Sequence, residues 1–95
     1  MIKGLTEDQE KIIKNILNKY PYEFYYYGSR VKGDYTKSSD LDIMLKSDNT
    51  VPSGTIKKIE DEFNASKIPF IVNIADYANL EEYFYKLIEK DLVKV

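Results

Sequence analysis

Ninety-five residues with 43% hydrophobic content bound this chain to a single domain, residues 1–95, with one modest core and no space for a separate recognition module. A net charge of -2, without any block of five or more basic residues, argues against broad nonspecific binding of nucleic acid, so no direct nucleic-acid partner is expected. The absence of Cys and His excludes disulfides, thiolate or imidazole metal ligation and Ser-His triads, leaving carboxylates, hydroxyls, Lys, Arg, Tyr or a bound metal for any chemistry.

Thr6, Glu7, Asp8 and Gln9 form a capping box that starts a helix. Ile12, Ile13, Ile16, Leu17 and Tyr20 recur on one face of it, and Pro21 ends it. Tyr22 to Tyr27 is a dense aromatic run closed by Gly28, which predicts a strand covered on both faces. Ser29 to Tyr35 reads as a helical turn, followed by a polar loop from Thr36 to Ser39. Leu41 to Leu45 is the second strand, with Leu41, Ile43 and Leu45 on one face and Asp40, Asp42 and Met44 on the other. After a loop from Lys46 to Gly54, Thr55 is placed to cap a helix reaching about Ser66, with Ile56, Ile59 and Phe63 inward. Pro69 to Ala75 is the third strand. Asn79 would cap a last helix whose buried stripe is Leu80, Tyr83, Phe84, Leu87 and Ile88. The start, Met1 to Leu5, lacks the apolar stretch of a signal peptide, and no segment approaches the ~18 apolar residues of a membrane span, so a cytoplasmic protein is expected.

This order predicts an α/β chain of the α+β kind, a small sheet with helices packed against it. Gly28 and Ser29, at a strand-to-helix turn, offer unpaired amides and a hydroxyl to an anion, and Gly28 allows close backbone approach. The bland alternative has Gly28 ending a strand and Ser29 merely capping. Asp40 and Asp42 stand two residues apart, on one face, where two like charges repel unless a cation compensates. Solvation at an exposed strand end is their alternative. Lys32, Asp34, Tyr35 and Lys37 line the same loop.

The joint spacing Gly28-Ser29-Arg30, Gly33, then Ser39-Asp40-Leu41-Asp42 and an apolar strand closely resembles the signature of the polymerase-beta-like nucleotidyltransferase superfamily. It is most similar to the minimal nucleotidyltransferases often paired with a HEPN-domain partner. The resemblance implies the polymerase-beta-like fold, with a small mixed sheet. It gives Ser29 the nucleotide's phosphates, with Gly28 permitting the approach, and Asp40 and Asp42 magnesium ions. The reaction it implies is attack of a hydroxyl on the α-phosphorus of a nucleoside triphosphate, with release of pyrophosphate. Arg30 would pair with the phosphates or with an acid of the scaffold. Ser39, grouped with the nucleotide-binding residues, would support the Asp pair by hydrogen bonding rather than touch the substrate.

One position departs from the family. A third carboxylate is usual on a later strand, and here Asn73 stands in that place. An amide can ligate a cation through oxygen but carries no charge and accepts no proton from the attacking hydroxyl. Asp76, three residues on, would face the other way in a regular strand; the remaining alternative is that Asn73 only ends the strand and the third acid lies elsewhere. Two functions are therefore expected. One is a Mg2+-dependent enzyme moving a nucleoside monophosphate, AMP from ATP, onto a hydroxyl of a HEPN-type partner, as the antitoxin of such a pair. The other is a degenerate binding module that neutralises a HEPN-type ribonuclease by docking. Transfer to a small molecule is a lesser alternative, and a homo- or hetero-oligomer is compatible with either.

Overall fold

The structure, a computed structural model, describes residues 2–95. In chain order it comprises α1 (Glu7–Leu17), β1 (Glu23–Tyr27), α2 (Ser29–Lys32), β2 (Leu41–Lys46), α3 (Thr55–Asn64), β3 (Val72–Asp76), a 3-10 turn (Tyr77–Asn79), α4 (Glu82–Ile88), a second 3-10 turn (Glu89–Asp91) and β4 (Val93–Lys94). The four strands make one mixed sheet in the order β3-β2-β1-β4, with β2 and β3 parallel and the other neighbours antiparallel. This is the α+β architecture expected from the element order.

Local chemistry explains most of the elements. Thr6 caps α1 through the reciprocal bonds of a capping box, its hydroxyl accepting from the Gln9 amide at 3.1 Å. The pleat then divides the strands into two faces. Phe24, Tyr26, Leu41, Ile43, Leu45, Val72 and Ile74 share one face and are buried with Ile13, Ile16 and Leu17 of α1 and Ile59 and Phe63 of α3. Burying each such side chain contributes about 1.5–3 kcal/mol, so this layer is the main source of stability. The opposite face carries Tyr25, Tyr27, Asp42, Met44, Asn73 and Ala75 in matched register, and it is here that polar chemistry is exposed.

The structure adds one buried charge and corrects several expectations. Glu10 lies among the buried residues of α1 because the Tyr26 hydroxyl, reaching through the core, donates to its carboxylate at 3.0 Å. Burial first, and then the Glu10 carboxylate beside it, push the Tyr26 hydroxyl far above its usual pKa. β1 lies inside the sheet, but Tyr25 and Tyr27 are only half-buried, so the aromatic run is fully covered on one face alone. Gly54, at φ +85, occupies the N-cap of α3 in place of Thr55. β3 starts three residues later than Pro69 and extends to Asp76, whose carboxylate accepts from the Ala78 amide and opens the 3-10 turn. Asn79 falls inside that turn, and Glu81 is the N-cap of α4.

The largest departure is in α4. Its apolar stripe was expected inside, yet Tyr83 is 66% and Leu87 62% exposed, Phe84 is exposed as well, and only Ile88 is buried. The two-residue β4, which the sequence did not suggest, draws the chain end back to β1, with the Val95 amide bonding to Phe24 O. That pairing and the tyrosine pair Tyr77–Tyr85 hold the helix in place by its other side.

Candidate active site

Sheet pairing assembles the site. In register across three strands stand Tyr27, Asp42 and Asn73, all on the face opposite the main core. Asp40 precedes β2 by one residue and points the same way by the two-residue repeat. The Asn73 amide nitrogen donates to Asp40 Oδ2 at 3.1 Å and to Asp42 Oδ1 at 3.3 Å. Both carboxylates thus converge on a single point, and the amide occupies it.

Gly28 closes the site from below. Its φ of +83 and ψ of -159 suit glycine alone, and a Cβ there would come within 2.4 Å of Asp42 Oδ2. The turn that follows is as tight as its glycines allow. α2 is a single turn closed by Gly33 in the left-handed conformation. Its ladder begins with the Val31 and Lys32 amides bonding to Gly28 O, so the amides of Ser29 and Arg30 stand ahead of it. Ser29 is half-buried beside Gly28.

Two of the expected residues serve the scaffold. The Arg30 guanidinium, 2% exposed, pairs with no acid among the described residues: it donates to Ser39 O at 3.0 Å and Lys37 O at 3.1 Å. The Ser39 hydroxyl accepts from the Thr36 amide at 2.8 Å and closes the loop, rather than bonding to either aspartate. Asp76 turns to the far face, in register with Leu45, and so supplies no third carboxylate. Tyr27 escaped the sequence reading. Its only signal was its place just before Gly28, because its opposition to Asp42 is set by strand register.

Electrostatics reflect this crowding. Half-burial raises the Asp42 pKa, the Asn73 hydrogen bond lowers it, and the Asp40 charge raises it further; the net shift is upward. Burial and then the Asp42 charge push the Tyr27 hydroxyl upward as well. The native state therefore holds the Asp42 proton more tightly than the unfolded chain does. That contribution is complete below the ordinary carboxyl value of 3.8 and is lost as pH rises through the native pKa. In EDTA at pH 7, Asp42→Asn is thus expected to be more stable than the parent. The advantage should vanish as denaturation is repeated down to acid pH.

The donor set fits one hard cation. Two convergent carboxylates, with the Asn73 side chain rotated to present its oxygen, match the one or two carboxylates that Mg2+ takes when a phosphate supplies the rest. It does not fit a second, fully protein-held cation, since no cluster of three or more acidic side chains able to hold a metal occurs among the described residues.

A glycine-bounded turn thus lies against a carboxylate pair on an α+β sheet. The sequence matches the family described as "Nucleotidyltransferase domain" over residues 9–95, and the chain belongs to that family. A relative from Haemophilus influenzae, named "Probable protein adenylyltransferase MntA", is 30% identical over 93 residues, covering 96% of this chain and 82% of the relative. A crystal structure from Sulfolobus solfataricus, of a protein assigned as a nucleotidyltransferase, shares the fold with a TM-score of 0.51 at 24% identity, over 90% of this chain and 73% of that one.

Proposed function

We propose that this chain is a Mg2+-dependent adenylyltransferase that moves AMP from ATP onto a hydroxyl of a partner protein, as the antitoxin of a pair with a HEPN-domain protein in the cytoplasm. The observation that carries this reading is the convergence of Asp40 and Asp42 on one point, with Asp42 packed directly against Gly28. Ser29 and the first amides of α2 receive the triphosphate, and Asp40 and Asp42 would hold Mg2+ against it. Mg2+ bound there would neutralise charge on the triphosphate as pyrophosphate leaves. The acceptor oxygen forms the new bond to the α-phosphorus while the bond to the β-phosphate bridging oxygen breaks, and the hydroxyl proton passes to solvent. The similarity to a protein adenylyltransferase supports a protein acceptor, and so does the exposed stripe of Tyr83, Phe84 and Leu87.

A specific observation favours a second reading, the degenerate docking module: Asn73 leaves the site without an acid to take the acceptor's proton. Incubation with α-labelled ATP, Mg2+ and the partner encoded beside this chain separates the two. The enzyme transfers label to the partner, and the double variant Asp40→Ala with Asp42→Ala loses at least about 100-fold of the rate. Tight partner binding without any label transfer would leave the docking module. Nucleotide binding that ignores both Mg2+ and the double substitution would refute the active-site assignment.

A further inference from the structure

We propose that Arg30 is the positioning residue for Asp40, setting the cation affinity of the site from behind it; this rests on the nucleotidyl-transfer reading above. Asp42 needs no such help, because it lies within β2 and is held by ladder pairing on both sides. Asp40 lies outside the ladder, at the end of an exposed loop. What fixes that loop is the Arg30 fork. Nε donates to the carbonyl of Ser39, the residue immediately before Asp40, and Nη2 donates to the carbonyl of Lys37. Nη1 lies 3.5 Å from Gly4 O, tying in the chain ahead of α1.

The guanidinium carbon also lies over the Phe70 ring, 4.0 Å from its centre, three residues before Asn73. Beside it, the Leu41 amide donates to Ile71 O at 2.8 Å. One buried side chain therefore joins the phosphate-binding turn, the loop carrying Asp40 and the approach to β3. Only a planar group with divergent donors meets these demands, since an ammonium cannot span both carbonyls from fixed directions. If the fork slackens, Asp40 drifts from the point it shares with Asp42 and Asn73. The fold and the Asp42 side remain.

Mn2+ binding to the full chain, followed by the paramagnetic signal of the free ion well below the unfolding temperature, tests this. Arg30→Lys should remain folded and bind Mn2+ about 10–100-fold more weakly, the range typical of outer-shell partners of metal ligands. Its transfer rate should recover at high Mg2+, giving a shifted cation dependence with little change in the saturated rate. Phe70→Leu keeps the arginine but removes the ring it lies over, and should show a smaller shift in the same direction; it also serves if Arg30→Lys does not fold. Unchanged Mn2+ affinity in a folded Arg30→Lys or Phe70→Leu, with the parent binding normally, would overturn the role of Arg30 alone. A parent that binds no Mn2+ would overturn both this inference and the nucleotidyl-transfer reading.

Discussion

Gly28→Ala is expected to disable the site more thoroughly than any other single methyl group added to this chain. The new Cβ would fall 2.4 Å from Asp42 Oδ2, closer than any real contact. The backbone there, at φ +83 and ψ -159, is in a region essentially restricted to glycine. Asp42 Oδ2 can escape only by swinging its carboxylate away from the point shared with Asp40 and Asn73, because the Asp42 Cβ, 3.3 Å from the new methyl, is fixed by pairing on both sides of β2. The variant should lose roughly 2–4 kcal/mol of stability and about 100-fold or more in Mg2+-dependent nucleotide binding, since displacements near 1 Å cost that much at a reacting centre. Gly33→Ala is the matched comparison. It too has a positive φ, +94, but open space surrounds the position, so it should cost about 1–2 kcal/mol and leave nucleotide binding intact. Urea denaturation and nucleotide titration of the two variants check both halves. Equal effects on binding would show that backbone strain, not contact with Asp42, is what matters.

Asn73→Asp should convert the site from a one-cation toward a two-cation arrangement. In the parent, the amide donates to both carboxylates and so stabilises them without a metal. The variant places a third carboxylate at the same point and removes the donor. Without divalent cation it should be less stable by about 0.5–1.5 kcal/mol, because an exposed and a half-buried carboxylate lose their shared donor and gain a like charge. Adding Mg2+ should restore that loss, so the thermal shift on Mg2+ addition is larger than in the parent. The new carboxylate also supplies a proton acceptor beside the attacking hydroxyl, and label transfer should rise by about 100-fold, the lower end of such contributions. A parent with no transfer and an active variant would mark the natural chain as a docking module. A variant whose Mg2+ response matches that of the parent would show that residue 73 does not face the cation.

The two substitutions probe a site whose parts were unequally visible in the sequence. The turn and the Asp pair are local features. Glycine's freedom at Gly28 and Gly33, and the two-residue repeat that sets Asp40 and Asp42 on one face, operate over a few residues and can be read directly. The capping box at Thr6 and the apolar periodicity of α1 and α3 are legible for the same reason. Arg30 could not be assigned that way. The sequence left it between phosphate and scaffold, and only the fold showed carbonyls of Lys37 and Ser39 and the ring of Phe70 around it.

Nor could the sequence set Tyr27 opposite Asp42, and only the family resemblance put Asn73 beside the Asp pair, because strand register is a property of pairs of segments rather than of either one. It misjudged the stripe of α4 on similar grounds. Tyr83, Phe84 and Leu87 recur at helical spacing, which determines that they share a face but not whether the rest of the chain covers it. The sequence by itself determined the α+β class and the family, and it picked out the candidate residues for phosphate and cation, since these depend on short-range periodicity and spacing. Tertiary structure alone decided the convergence of Asp40, Asp42 and Asn73, the burial of Arg30 and the exposure of α4, because each depends on contacts between segments far apart in the chain.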